Sequence, residues 1–375
     1  MTELELEVLS PLHIGNGYTL GLIDFIMRED RFVRVNFDKL ADYCYDVDID
    51  LAAGVEDRRF KIRYKTEEIF SIEKFIEFYG IERDYNRFAE YTIPLNIGRR
   101  ARETKIEVKE YIKDGMGRAY IPGSSVKGAI RTALFWSVLD DEEVKRYCDE
   151  LMRVKRVKAE RACKRLEAKI FGSEAHRDIL RALRITDSAP LAEKELEVNE
   201  IKIIGNPGPI PTYAECLRTG ARTRFEIRVD KNLLIVDIFE DNRLRDGINL
   251  DNILRVCRLF SMEYVKKQRS YRHYSGSTMR FYNKLAGMLN GLKETEAILN
   301  LGWGGGWYGK TIGLKVENYP WFTANPRDFN RFKRTLRWKL KLGKRGRRFV
   351  LNFPKTRRVT IEDMPPGWVK VKVRI

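Results

Sequence analysis

Apolar and polar residues alternate along Leu4-Glu5-Leu6-Glu7-Val8, the two-residue period of a strand with one buried face. Alternation returns in TRFEIRV (223–229), and LRITDSAP (183–190) reads as a strand ending in turn residues. Leu22 to Phe37 predicts a hairpin turning on Arg28-Glu29-Asp30-Arg31, and Asp114-Gly115-Met116-Gly117 predicts a second turn. Helical spacing appears in 67–79, where Ile69, Ile72, Phe75, Ile76 and Tyr79 share a face. It appears again from 124, where Ser124 or Ser125 is the expected N-cap and Val126, Ile130, Ala133, Leu134 and Val138 form the apolar face. Residues 142–171 read as one long helix, and 250–266 as another. The segment after Lys310, TIGLKVENYP, reads as a strand. So does 337–342, where Arg337, Lys339 and Lys341 alternate with Trp338, Leu340 and Leu342. Residues 205–211 (GNPGPIP) are a loop. Strands and helices alternate irregularly, which predicts an α+β fold rather than a doubly wound sheet.

Length fits two domains, and the second unit is expected to begin near LRITDSAP, giving 1–180 and 181–375. The 43% hydrophobic content is that of a globular chain and excludes extended disorder. The longest apolar run, 232–239 (NLLIVDIF), contains an Asp, so no membrane span is expected; the start of the chain reads as a strand and not as a signal peptide.

Charge narrows the field. Seventy-one Lys and Arg oppose 54 Asp and Glu, a net charge of +17, which points to a polyanionic partner, nucleic acid first among them. The competing reading is a heavily charged solvated surface. The excess is uneven, favouring the first: no acidic residue occurs from Phe329 to Ile361, and 331–348 carries ten basic residues. Five scattered cysteines without CxxC spacing and three histidines without a ligand pattern predict neither a disulfide framework nor zinc, and suit a reducing cytoplasm.

Three glycine loops carry the candidate chemistry. The first is SPLHIGNG (10–17). The second, IPGSSVKGAIRTAL (121–134), exposes backbone N–H groups where a helix begins, with Lys127 and Arg131 four residues apart on one face. That arrangement suits phosphate, or a plain helix cap with two surface cations. The third, LGWGGGWYGKTIG (301–313), holds six of the chain's 27 glycines, a density that implies positive φ or close approach of a ligand. Its GGGWYGKT (304–311) matches GxxxxGK[ST], with Lys310 and Thr311 in the phosphate and Mg²⁺ positions. Only 64 residues follow Thr311, without a strand ending in a clear acid, so the ATPase reading is the lesser one.

The order SPLHIGNG, IPGSSVKGAIRTAL, GWGGGWYGKT resembles the RAMP superfamily of CRISPR effector subunits, and within it the fifth-subunit family of the type III-A Csm complex. The resemblance spans residues 10–311. It implies two RRM-like (ferredoxin-like) modules, the first with a helical insertion and the second with the glycine-rich loop and basic C-terminal strands. It implies no cofactor and no catalytic or metal site. The implied role is a non-catalytic subunit that caps the 3′ part of the CRISPR RNA (crRNA) and supports its maturation. Implied neighbours are the repeated backbone subunit and the small subunit, with target RNA and a trimming nuclease as further partners. RNA-facing candidates are then His13, Gly15, Asn16 and Gly17; Ser124, Ser125, Lys127 and Arg131; and Trp303, Gly304, Gly305, Gly306, Trp307, Lys310 and Thr311. Either Trp could equally be packed beneath its loop.

Two residues keep an endoribonuclease alternative open. His13 in a glycine loop could act as general base or acid in precursor processing. Asp24, in GLID (21–24), stands where the resembling backbone subunit carries its target-cleaving Asp. Asp187 is expected to cap or order a turn.

Overall fold

The structure is a computed structural model that describes residues 1–375 apart from 29, 65–66, 99–106, 154–162, 206–210, 236–242, 341–343, 346–347, 350–353, 355 and 375. In chain order its strands are β1 (Thr2–Val8), β2 (Gly15–Leu20), β3 (Phe25–Arg28), β4 (Arg31–Val35), β5 (Lys61–Tyr64), β6 (Glu67–Phe70), β7 (Ala89–Asn96), β8 (Val108–Tyr111) and β9 (Leu183–Ile185). There follow β10 (Leu196–Ile204), β11 (Thr212–Leu217), β12 (Arg222–Val229), β13 (Glu296–Asn300), β14 (Lys344–Arg345), β15 (Arg348–Phe349), β16 (Arg357–Thr360) and β17 (Trp368–Val373).

Two sheets organise the fold, which is mixed α+β as the irregular alternation predicts. One is antiparallel, in the order β13-β17-β1-β12-β9. The other runs β2-β8-β11-β10-β7-β4-β3, with β16 also paired to β10. Alternation in β1 buries Leu4, Leu6 and Val8 and turns Glu3, Glu5 and Glu7 to the other face. The buried face packs with the helices Gly123–Val138 and Leu250–Arg269 in one large core. A smaller second core gathers Ile26, Val33, Leu40, Phe60, Phe75 and Phe88, a satellite cluster drawn from between residues 26 and 89, while Phe25 and Phe32 join the large core.

Local signals account for several helix starts. Asn36, Asp50, Ser71, Asn249 and Ser275 each accept a hydrogen bond from the backbone N–H three residues on. The two predicted turns are present: β3 and β4 pair around residues 28–31, and Asp114 accepts from the N–H groups of Met116 and Arg118. Residue 29 and most of the predicted 205–211 loop lie outside the described residues; Gly205 is described, at φ 83°.

Several expectations need correction. The helix expected over 67–79 begins only at Ile72, after β6. Residues 142–171 hold two described helices, Asp141–Arg153 and Lys164–Phe171, with 154–162 outside the described residues. The strand expected after Lys310 is a short helix, Gly313–Glu317; Gly313, Leu314 and Val316 are all buried, so alternation there carried no information about period. The basic stretch is helical from Pro326 to Leu340. Phe329, Phe332 and Leu336 repeat at three and four residues, and this longer helical period overrides the short alternation as far as Leu340; residues 341 and 342 lie outside the described residues. Phe332 is buried against Phe322, ring centroids 5.1 Å apart.

Candidate nucleic-acid interface

The first and third glycine loops meet; the second stands elsewhere. Trp303 donates its backbone N–H to the His13 carbonyl at 2.8 Å. Gly302, at φ 61°, brings the two backbones so close that any Cβ would collide with that carbonyl oxygen. The Trp303 ring and the His13 imidazole are T-shaped, at 80° with centroids 6.0 Å apart.

His13 itself faces inward. It is 4% exposed and donates from Nδ1 to the Glu215 carbonyl at 2.7 Å. Burial, with Lys109 and Lys113 nearby, lowers its pKa, so the imidazole is neutral at pH 7. Ile14 is buried as well; exposure begins at Gly15, Asn16 and Gly17, which the expected 10–17 loop included but which open the strand β2. Asn16 accepts from the Tyr18 N–H and donates to Glu110, which fixes this tip at the start of β2. Tyr18, 74% exposed on the edge strand β2, is an aromatic that the sequence reading passed over.

Beneath this loop lies a polar network. Glu215 has no exposed surface, and its carboxylate accepts from the Tyr91 hydroxyl, the Tyr111 N–H and the Lys113 ammonium. Lys113 also reaches Glu110, so the tip and the buried carboxylate share one cation.

The third loop begins where β13 ends. Gly304 (φ 125°) lies against Pro366, and Gly305 is buried with its carbonyl accepting from the Tyr264 hydroxyl. Gly306 (φ 57°) is exposed with open space above it. Trp307 packs where a side chain on Gly313 would have to lie. Lys310 keeps an exposed stem but turns its ammonium inward onto the Asn300 carbonyl at 3.1 Å, and burial of that ammonium pushes its pKa down to about 8. The Thr311 hydroxyl donates to the Trp307 carbonyl. The helix after the glycines has five residues, and β13 is an edge strand of an antiparallel sheet. The residues of the GxxxxGK[ST] pattern therefore bond their own chain, and the parallel-sheet setting of a nucleotide-binding loop is missing from the described residues.

In the second loop the helix begins at Gly123, one residue before the serines, and neither serine caps it. The Gly123 N–H donates to the Asp187 carboxylate at 2.8 Å. A Cβ on Gly123 would strike the carbonyls of Ile185 and Thr186, so the strand end and the helix start touch backbone to backbone. Ser124 is left exposed and Ser125 half-buried. Lys127 and Arg131, expected on an exposed face, are both half-buried. Arg131 pairs with Asp178 at 2.6 Å and lies 3.8 Å over the Phe171 ring, while burial lowers the Lys127 pKa.

Asp24, the cleavage candidate, has both carboxylate oxygens engaged: Oδ2 accepts from the Gly21 N–H at 2.7 Å and Oδ1 from Arg34 at 2.9 Å. Among the described residues no three His, Cys, Asp or Glu side chains gather as a metal site, and all five cysteines are free. No described helix is long and apolar enough to cross a membrane.

Comparison with known proteins gives a consistent picture. The RAMP superfamily pattern matches residues 5–308. The CRISPR system Cms protein Csm5 of Methanocaldococcus jannaschii is 24% identical, over 98% of this chain and 88% of its own length. Csm5 of Mycobacterium tuberculosis is 31% identical over a shorter part, 35% of this chain and 38% of its own. Among solved structures, a chain of a Csm–crRNA–target RNA ternary complex of a type III-A CRISPR-Cas system superposes with TM-score 0.76 at 30% identity, covering all of both chains. The crystal structure of T. onnurineus Csm5 superposes with TM-score 0.71 at 26% identity, over 97% of this chain and 99% of that one.

Proposed function

Because the chain belongs to the RAMP superfamily, we propose that it serves as the Csm5-type subunit of a type III-A CRISPR ribonucleoprotein. In this reading it binds guide RNA without cutting it, caps the 3′ part of the crRNA and supports crRNA maturation. The observation that carries the reading is its full-length likeness to a chain found in a Csm–crRNA–target RNA complex. Its neighbours would be the repeated backbone subunit and the small subunit, with target RNA and a trimming nuclease as further partners. Two RRM-like modules are part of this reading, and the cytoplasm is its compartment.

The basic excess, the exposed tip Gly15–Gly17 and the open Gly306 support backbone-directed RNA binding. The inward His13 and the doubly bonded Asp24 support a subunit without a nuclease centre at those residues. Incubating the purified chain with end-labelled repeat RNA and with ATP tests this directly. Retention of intact RNA without phosphate release is expected. RNA cleavage abolished by Asp24→Ala, or phosphate release abolished by Lys310→Ala, would replace the proposal by an enzyme.

A further inference from the structure

Between the third glycine loop and β16 lies a cleft of about 60 Å³, lined by Gly304, Gly305, Gly306, Arg357 and Arg358 together with Gln268 and other residues. It is several times the ~10–15 Å³ that one water needs. Two arginines, consecutive on β16, are among its lining, and among the described residues neither is paired with a carboxylate.

Arg357 is satisfied by neutral groups. It donates to the Gln268 side chain at 2.8 Å and to the carbonyls of Pro354 and Thr356, with its guanidinium 4.5 Å over Tyr271 and 5.2 Å over Tyr308. Arg358 is less satisfied. Its guanidinium lies 4.5 Å over the Trp303 ring, and its Nε is buried with no hydrogen-bond partner. Burial lowers its pKa, as expected of a cation withdrawn from water without a counter-ion.

A buried guanidinium donor without an acceptor costs the desolvation of a charged group. Its planar fork matches the oxygens of phosphate, and an arriving phosphate would supply both missing terms, acceptor and countercharge. Gly304, Gly305 and Gly306 leave that wall of the cleft free of side chains, so a ligand can reach the backbone. Trp303 stands nearly perpendicular to His13 and has its ring under Arg358, so it holds a guanidinium where the sequence suggested a stacked base.

We infer that this cleft binds one phosphate group of single-stranded RNA, with Arg358 as its direct ligand, Arg357 beside it and Trp303 positioning Arg358. The inference rests on the RNA-binding reading above and names a contact within it.

The test uses the full chain and a ribo-oligomer matching the 3′ part of its guide, with affinity measured across a salt series. Arg358→Gln should raise Kd several-fold and make the salt slope shallower by roughly 0.7, the value of one phosphate contact on a single strand. It should melt no lower than the parent, since it removes an unpaired cation. Arg358→Lys should restore the slope without the full affinity. Trp303→Leu should weaken binding in the parent and add little in Arg358→Gln.

Oligomers carrying single methylphosphonate substitutions, or lacking a terminal phosphate, locate the group. One of them should bind the parent more weakly yet bind Arg358→Gln no worse than the unmodified oligomer, and which one it is separates an internal phosphodiester from a chain end. If the parent binds RNA but Arg358→Gln and Arg358→Lys leave both Kd and slope unchanged, the cleft is not a phosphate site and the RNA-binding reading survives. If the parent binds no RNA, both fall.

Discussion

Gly123 is where two distant parts of the chain touch, and a single carboxylate settles the local chemistry. The first N–H of a helix has no partner within its own helix, and here Asp187 accepts it from 64 residues away. A negative charge at that end also meets the positive pole of the helix dipole. Asp187→Ala should therefore cost about 1 kcal/mol, within the ~0.5–2 range of lost caps, whereas exposed Ser124→Ala should change stability by less than about 0.5 kcal/mol. Urea unfolding of the two variants checks this; equal midpoints would show that the Asp187 contact carries no weight. The sequence announced a helix start and misplaced its cap, because the serines are local and the acceptor is not. His13 misled for the same reason: a histidine in a glycine loop looks exposed until the Glu215 carbonyl, 202 residues on, is seen to hold it inside. Arg358 could have been found, since it continues the acid-free run from Phe329, but its stacking on Trp303 is a product of the fold.

At the level of elements, the open face of the antiparallel sheet differs from an aromatic RNA platform. Glu3, Glu5 and Glu7 lie beside Arg222 and Arg224 on β12 and beside Lys370 and Lys372 on β17, with ion pairs at 3.4–3.7 Å to the arginines. Such exposed pairs add little stability each and set register more than energy. The basic excess is concentrated instead in the helix Pro326–Leu340 and the residues after it. Helical form changes how that charge is presented: cations at three- and four-residue spacing follow a face of a rod, where a strand would have lined up alternate positions. Neutralising four of the Lys and Arg between 331 and 348 should weaken RNA binding and flatten its salt dependence by almost 3, at roughly 0.7 per phosphate contact. A slope unchanged from the parent would mark this region as a solvated or protein-facing surface. Elements with a cap and a clear period, such as Leu250–Arg269, were legible in the sequence; the 312–317 segment was not, because four of its six residues are buried and a helix of five residues is too short to show its period.

Across the whole molecule, the strand pairings run between the two halves of the chain. β1 is held by β12 and β17, so the first residues complete a sheet made otherwise from residues beyond 180. In the other sheet β7 pairs in parallel with β10 and β8 with β11, again joining residues before 180 to residues after it. Alternation marked β1 and β12 as strands; it could not say which partners they choose, since that depends on closing loops of a hundred residues or more. A division near residue 180 is thus a division of sequence order, and it cuts through both sheets. Produced separately, 1–180 would carry β1 without either neighbour and 181–375 would have a gap between β12 and β17, each leaving unpaired backbone groups along an apolar strand. Residues 25–89, with their own smaller core, are the exception and should retain some structure inside the first half. We expect neither half alone to give a cooperative thermal transition, and co-expression to restore a soluble complex that melts as one unit. Circular dichroism melts and size-exclusion chromatography of the halves, alone and together, decide it. A cooperative melt from 181–375 alone would mean that β1 is dispensable to its sheet, and that the two halves fold independently and only later share an edge.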